Sequence, residues 1–327
     1  MKHRIRWFLI NFKYAFRLNK PFLFINLIRN FFCVLFLNKT LLRYVDFAIG
    51  YRCNLNCKHC FAIDLIENDR HTITPSEYHR VAKEAMKLGA VNFSFQGGEP
   101  LLYPELEAYI KAVHPRSNLI SVTTNGTLLN DTMLKKMKRW GVDILTVSLD
   151  SGIPEEHDNF RQKEGCFSEI YSGIKRALSY GFNITIGTVI TSQNLRSEGI
   201  KRLIDISRNL RIILMLIPGV PIGRWKDKEN ILLKSDDIAY LEKMVSKYPY
   251  VRTDFDANYF KKGCGALKEI LYLNPYGDVF ACPFIHKKLG NVLSDSINTI
   301  RTRYLKNNLF KDYHNKCIAT LKEVYSE

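Results

Sequence analysis

From Tyr44 to Ile217 the chain alternates between short strand-like runs and longer helix-like ones, and this alternation limits its possible folds more than any other feature. Strand-like runs fall at 44–51, 91–97, 119–125, 142–150, 183–190 and 211–217, with helical periodicity between them at 75–88, 104–113, 131–139, 167–180 and 197–208. Strands joined by helices pair in parallel, through right-handed crossovers that leave the helices outside. Thr74 and Asn130 read as N-caps of two of these helices. The expected fold is therefore α/β: a partial (β/α)6 TIM-like barrel over 44–235, a small C-terminal cysteine-containing module over 236–327, and an N-terminal amphipathic helical arm over 1–43. In such barrels chemistry collects at the C-terminal ends of the strands.

The first strand runs into Cys53-Asn-Leu-Asn-Cys57-Lys-His-Cys60, three of the eight cysteines within eight residues. That crowding favours metal ligation over a disulfide framework. Three thiolates on one loop suit three irons of a cubane and leave the fourth iron open. A zinc site that borrows His59 as its fourth ligand is the alternative. The second strand ends Gln96-Gly97-Gly98-Glu99-Pro100, where two glycines permit close approach of the backbone to a ligand and a carboxylate can accept from an ammonium group. Near the end of the chain, LYLNPYGDVFAC (271–282) reads as a β-hairpin turning at Pro275-Tyr276-Gly277, which brings Cys264 and Cys282 together.

The triplet, with three and then two intervening residues just after the first strand, resembles the hallmark of the radical S-adenosylmethionine (radical SAM) superfamily. That resemblance covers roughly 44–327. It implies a [4Fe-4S] cluster on Cys53, Cys57 and Cys60 whose open iron chelates S-adenosylmethionine, and reductive cleavage to a 5′-deoxyadenosyl radical. His59 then stands where the family places an aromatic residue near the adenine. Gly97, Gly98 and Glu99 match the motif that holds the cofactor's amino group, Asn125 and Ser148 match positions at its edge, and Arg161 matches an arginine that pairs with its carboxylate. The spacing from Cys264 through Gly277 to Cys282, with Cys317 beyond, resembles a shortened SPASM or twitch module and implies at most one auxiliary [4Fe-4S] cluster on Cys264, Cys282 and Cys317. His286 or His314 is a candidate fourth ligand, substrate is another, and a module that kept its fold and lost its cluster is a further alternative.

Charge is distributed unevenly. Nine of the 48 basic residues and none of the 32 acidic ones lie in 1–43, leaving 39 against 32 elsewhere. Residues 4–17 and the run FLFINLIRNFFCVLFL (22–37) carry apolar stripes, but Arg29 interrupts the second and it falls short of a membrane span. The arm is expected to lie on a membrane surface, apolar side chains in the headgroup boundary and basic ones on anionic lipid; a cap on the barrel is the alternative. The run around PFLFINLIRNFF is a candidate approach for a lipid substrate. No secretory signal opens the chain, so the expected setting is the cytoplasm, peripheral on the inner face of the cell membrane. The expected activity is hydrogen abstraction from a peptide, protein or membrane-linked lipid, with ferredoxin or flavodoxin as reductant. An inactive iron-sulfur scaffold or binding protein and an RNA-modifying enzyme are the alternatives. Nucleic acid is not expected as a partner, because the basic surplus lies in the arm rather than at the barrel mouth.

Overall fold

The computed structural model describes residues 19–254, 263–306, 308–314, 316–321 and 324. The arm segment 4–17 lies outside them. All six expected strands form, shortened by up to three residues at an end: β1 Tyr44–Ala48, β2 Asn92–Gln96, β3 Leu119–Thr124, β4 Ile144–Ser148, β5 Asn183–Ile190 and β6 Ile213–Pro218. The helices between them are α2 Pro75–Lys87, α3 Leu106–Ala112, α4 Asp131–Trp140, α5 Pro154–Arg161, α6 Cys166–Ser179 and α7 Glu198–Leu210, preceded by α1 Pro21–Phe36. Local chemistry explains their starts. Thr74 and Glu77 form a reciprocal capping box ahead of Pro75, and Asn130 accepts from the Met133 amide at 2.9 Å.

The sheet is longer than the six-strand reading. Its order is β10-β9-β8-β1-β2-β3-β4-β5-β6-β7, where β7 is Val251–Thr253, β8 Ile270–Leu273, β9 Asp278–Phe280 and β10 Gly290–Asn291. Strands β8 and β1 to β7 are parallel, and the β8–β9 and β9–β10 pairs are antiparallel. The C-terminal hairpin therefore continues the barrel sheet, with β8 in register beside β1. Helix α8 (Ser235–Lys247) and β7 extend the other end.

Strand alternation assigns the two faces. Phe47 points outward, stacked on Tyr78 of α2 at 4.1 Å and 5.2 Å from Tyr109 of α3. Asp46, one residue earlier, points inward in register with Ser94 of β2 and Tyr272 of β8, and Ser94 aligns in turn with Ser121. The outside is a continuous apolar core, and this part of the inner wall is polar.

Helix α1 docks at the N-terminal ends of the strands. Lys20 donates to the Asn118 and Gly141 carbonyls at 3.0 Å each and pairs with Asp143; Asn30 donates to the Gly89 carbonyl at 2.7 Å. All four partners precede β2, β3 or β4. This corrects two expectations. The apolar run 22–37 sits at the end opposite the cysteine loop and provides no approach to it. Lys20 and Arg43, counted among the lipid-facing charges, are spent on Asp143 and Glu269 inside the protein. No helix among the described residues is long and apolar enough to cross a membrane.

Candidate active site

The cysteine loop leaves β1 at the C-terminal rim and is pinned to the loop after β2. The Gly98 amide donates to the Gly50 carbonyl and the Glu99 amide to the Arg52 carbonyl, both at 2.9 Å. A Cβ at Gly97 would meet the Gly50 oxygen at 2.1 Å, and one at Gly98 the Arg52 oxygen at 2.3 Å; Gly97 also has φ +137°. The two glycines thus serve a crossing of two loops. Fully buried, the Glu99 carboxylate accepts from the Leu101 amide (3.1 Å), the Thr124 hydroxyl (2.8 Å) and the Asn125 amide (2.7 Å), so it ties the β2 loop to the β3 loop. Burial pushes its carboxyl up to about 7, against those donors.

Each triplet sulfur faces donors. The Leu55 amide points at Cys53 and the Ala62 and Ile63 amides at Cys60; burial still pushes both thiols up. Asn125 Nδ2 lies 3.8 Å from the Cys53 sulfur and donates to Asn54 Oδ1 at 2.8 Å. Arg161, at the end of α5, donates from Nη1 to the Cys57 sulfur at 3.6 Å, while Asp150 accepts from its Nε at 2.7 Å and pairs with its Nη2 at 2.6 Å. Burial works against both charges of this pair, and their mutual attraction offsets it: Asp150 stays below the usual carboxylate range and Arg161 above the usual guanidinium one. Arg161 is therefore not free to turn wholly to a cofactor carboxylate.

His59 stacks on Phe160 at 4.3 Å and 15°, with the Trp225 ring 5.6 Å away. Burial drives its ring down to about 3, so it is neutral, and its buried Nδ1 has no hydrogen-bond partner. Ser148 closes β4 at the same rim, in register with Gly187. Sequence reasoning missed Phe160, the Gly223-Arg224-Trp225 segment and the pairing of Asp150 with Arg161. Arg224 clamps the cysteine loop from its far side through the Asn56 and Cys57 carbonyls (2.9 and 3.2 Å), and its amide donates to the Cys60 carbonyl at 3.1 Å. A signal was available, since PGVPIGRW directly follows the sixth strand and so falls on the rim.

The C-terminal cysteines converge. The hairpin forms as expected, with Gly277 at φ +82°, and the Leu267 amide donates to the Ala281 carbonyl (3.0 Å), laying the Cys264 segment beside that of Cys282. The Cys264 amide donates to the His314 carbonyl at 2.7 Å, which brings in Cys317. The sulfur environment repeats that of the triplet: Ala266 and Ile318 amides point at Cys264, Phe284 and Ile285 amides at Cys282, and the Ala319 amide at Cys317. Burial pushes all three thiols up. Cys166, buried at the start of α6, has no such amide among the influences on its thiol. Of the two candidate histidines, His314 Nε2 is bonded to the Leu309 carbonyl at 2.9 Å; His286 Nε2 is buried and unpartnered.

These residues fit iron-sulfur groups. A buried thiol stays protonated until a cation displaces its proton, and amide dipoles aimed at sulfur stabilise the thiolate that results. Among the described residues no three His, Cys, Asp or Glu side chains are gathered closely enough to hold a single metal ion. The orphaned Nδ1 of His59, in its aromatic wall, suits a purine edge.

Fold and site together define a barrel whose C-terminal rim carries a three-cysteine loop. Residues 47–204 match the model of the Radical SAM superfamily, so the chain carries a radical SAM domain. The chain is 28% identical over 190 residues to the AdoMet-dependent heme synthase of Methanosarcina barkeri, covering 58% of this chain and 54% of that protein. It is 25% identical over 269 residues to the antilisterial bacteriocin subtilosin biosynthesis protein AlbA of Bacillus subtilis, covering 79% and 59%. It thus spans little more than half the length of either relative. Its fold is shared by Streptococcus suis SuiB bound to S-adenosylmethionine, at TM-score 0.64 and 17% identity over 87% of this chain and 75% of that one.

Proposed function

We propose that the chain is a radical SAM enzyme that takes a hydrogen atom from a polypeptide while docked on a membrane surface. The observation that carries the chemistry is the rim loop on which Cys53, Cys57 and Cys60 are supplied with sulfur-directed donors and the Arg161 guanidinium. Cys53, Cys57 and Cys60 hold the cluster. His59, Phe160 and Trp225 form the wall for the adenine, Asn125 fixes the cofactor edge of the loop, and Glu99 keeps the β2 and β3 loops at a constant spacing. When bound, the cluster and S-adenosylmethionine supply a 5′-deoxyadenosyl radical that removes one hydrogen atom. The chain aims and shields that event, with Arg224 and Gly223 bracing the loop.

Cys264, Cys282 and Cys317 hold one auxiliary cluster in this reading, and the chain works as three units, 1–43, 44–235 and 236–327. A low-potential one-electron carrier such as ferredoxin or flavodoxin supplies the electron. Two of the relatives support a polypeptide substrate: AlbA is named for bacteriocin biosynthesis, and SuiB has been captured with the precursor peptide SuiA. Deuterium tests it. With polypeptide and lipid fractions from cells grown on perdeuterated medium offered separately, the label is expected in 5′-deoxyadenosine only with the polypeptide fraction. Label arriving from the lipid fraction instead overturns the substrate class and leaves the radical chemistry standing.

A further inference from the structure

Helix α1 is amphipathic the wrong way round for a helix lying on a protein in water. The side it turns to the barrel carries buried Leu23 and Asn30, the latter spent on the Gly89 carbonyl. The opposite side presents Phe22, Ile25, Ile28, Phe32, Leu35 and Phe36, each between 52% and 73% exposed. Positions 25, 28, 32 and 35 form one stripe at helical spacing, and Phe32 and Phe36 pack together at 5.1 Å. A patch of this kind marks an interface.

Charge selects the occupant. Once Lys20 and Arg43 are set aside as internal ion pairs, seven basic residues of 1–43 remain, and the segment holds no acid. Apolar side chains in a segment whose only charges are positive match an anionic lipid surface. The helix is also fixed in direction. Lys20 and Asn30 lock it to backbone that precedes β2, β3 and β4, whereas the cysteine loop leaves the far end of β1, about 17 Å along a five-residue strand.

From this geometry we propose that α1 seats the N-terminal end of the barrel on an anionic bilayer with the cysteine loop facing water, so that substrate enters from the aqueous side as a soluble polypeptide segment rather than from the bilayer as an acyl chain. The inference rests on the proposed membrane docking and adds its direction.

The chain's few tryptophans report on it. In the full-length protein carrying Trp7→Phe and Trp140→Phe, Trp225 beside His59 is the rim probe; with Trp225→Phe added, the indole introduced by Phe32→Trp is the helix probe. The protein is mixed with phosphatidylglycerol–phosphatidylcholine vesicles, plain or brominated in the acyl chains, and flotation is scored in parallel. Expected are flotation of the wild type, loss of most helix-probe emission in brominated vesicles, unchanged Trp225 emission, and loss of flotation in an Ile25→Glu, Ile28→Glu, Phe32→Glu variant. Quenching of Trp225 as strong as that of the helix probe overturns the orientation and leaves docking intact. Flotation that survives the triple substitution overturns α1 as the docking face. A wild type that stays off vesicles as a dimer, which the triple substitution makes monomeric, overturns the lipid and assigns the face to a second copy. 5′-Deoxyadenosine formation without vesicles separates all of these from failure of the radical chemistry.

Discussion

Arg161 places a guanidinium nitrogen 3.6 Å from the sulfur of Cys57, the middle cysteine of the triplet, and Asp150 holds it there. A buried cation beside a cluster ligand favours the reduced, more negative state. In Arg161→Gln the cluster's midpoint potential is expected to fall by several tens of millivolts, measured by EPR-monitored titration. The same change leaves Asp150 buried and unpaired, which costs about 3 kcal/mol. The double variant Asp150→Asn, Arg161→Gln should recover most of that stability in denaturant titration and none of the potential.

His59 is held neutral by burial and stacked on Phe160. His59→Ala is expected to weaken S-adenosylmethionine binding about tenfold, roughly 1.4 kcal/mol of lost stacking, while His59→Phe retains most of it. Because the ring carries no charge near neutrality, the wild-type affinity attributable to it should not change between about pH 6 and 8. Calorimetry on anaerobic protein reads both.

The proposal that Cys264, Cys282 and Cys317 hold an auxiliary cluster rests on the repeated pattern of amides aimed at their sulfurs. Anaerobically reconstituted protein should carry about eight irons and eight sulfides, and the variant with all three changed to Ala about four of each. Cys166→Ala should lose none. Iron unchanged in the triple variant would show that this segment keeps its fold without a cluster.

The sequence was most legible where its pattern was long. Six strands and their intervening helices are visible because each alternates over many residues, and the caps at Thr74 and Asn130 are local. β7 spans three residues, too short for a period, and β8 looked like half of an isolated hairpin because its partner β1 is over 200 residues away. At the site, the cysteine spacing is contiguous and was readable. The Asp150–Arg161 pair and the His59, Phe160 and Trp225 wall come from separate loops that only the barrel brings together. The arm misled in its charges as well as in its place: composition counts Lys20 and Arg43 as surface charge, and only the fold shows Lys20 buried against Asp143 and Arg43 half-buried against Glu269.

Asp46 faces the barrel interior, and burial pushes its carboxyl up to about 7. A carboxyl with a raised folded-state value adds stability below its unfolded value of about 4, and that contribution is lost as the pH climbs through about 7, at about 1.4 kcal/mol for each pH unit that separates the two values. Asp46→Asn removes the loss. Its melting temperature relative to wild type should therefore rise between about pH 5 and pH 8. A constant difference across that range would show that Asp46 is ionised without cost.

The most direct measurement is 5′-deoxyadenosine formed from S-adenosylmethionine by anaerobically reconstituted, dithionite-reduced protein, beside a Cys57→Ala control. Product from the wild type and none from the control is the expected result. No product from protein shown to hold a reducible [4Fe-4S] cluster and bound S-adenosylmethionine, with or without the polypeptide fraction, would contradict the radical reading and leave the barrel an iron-sulfur scaffold.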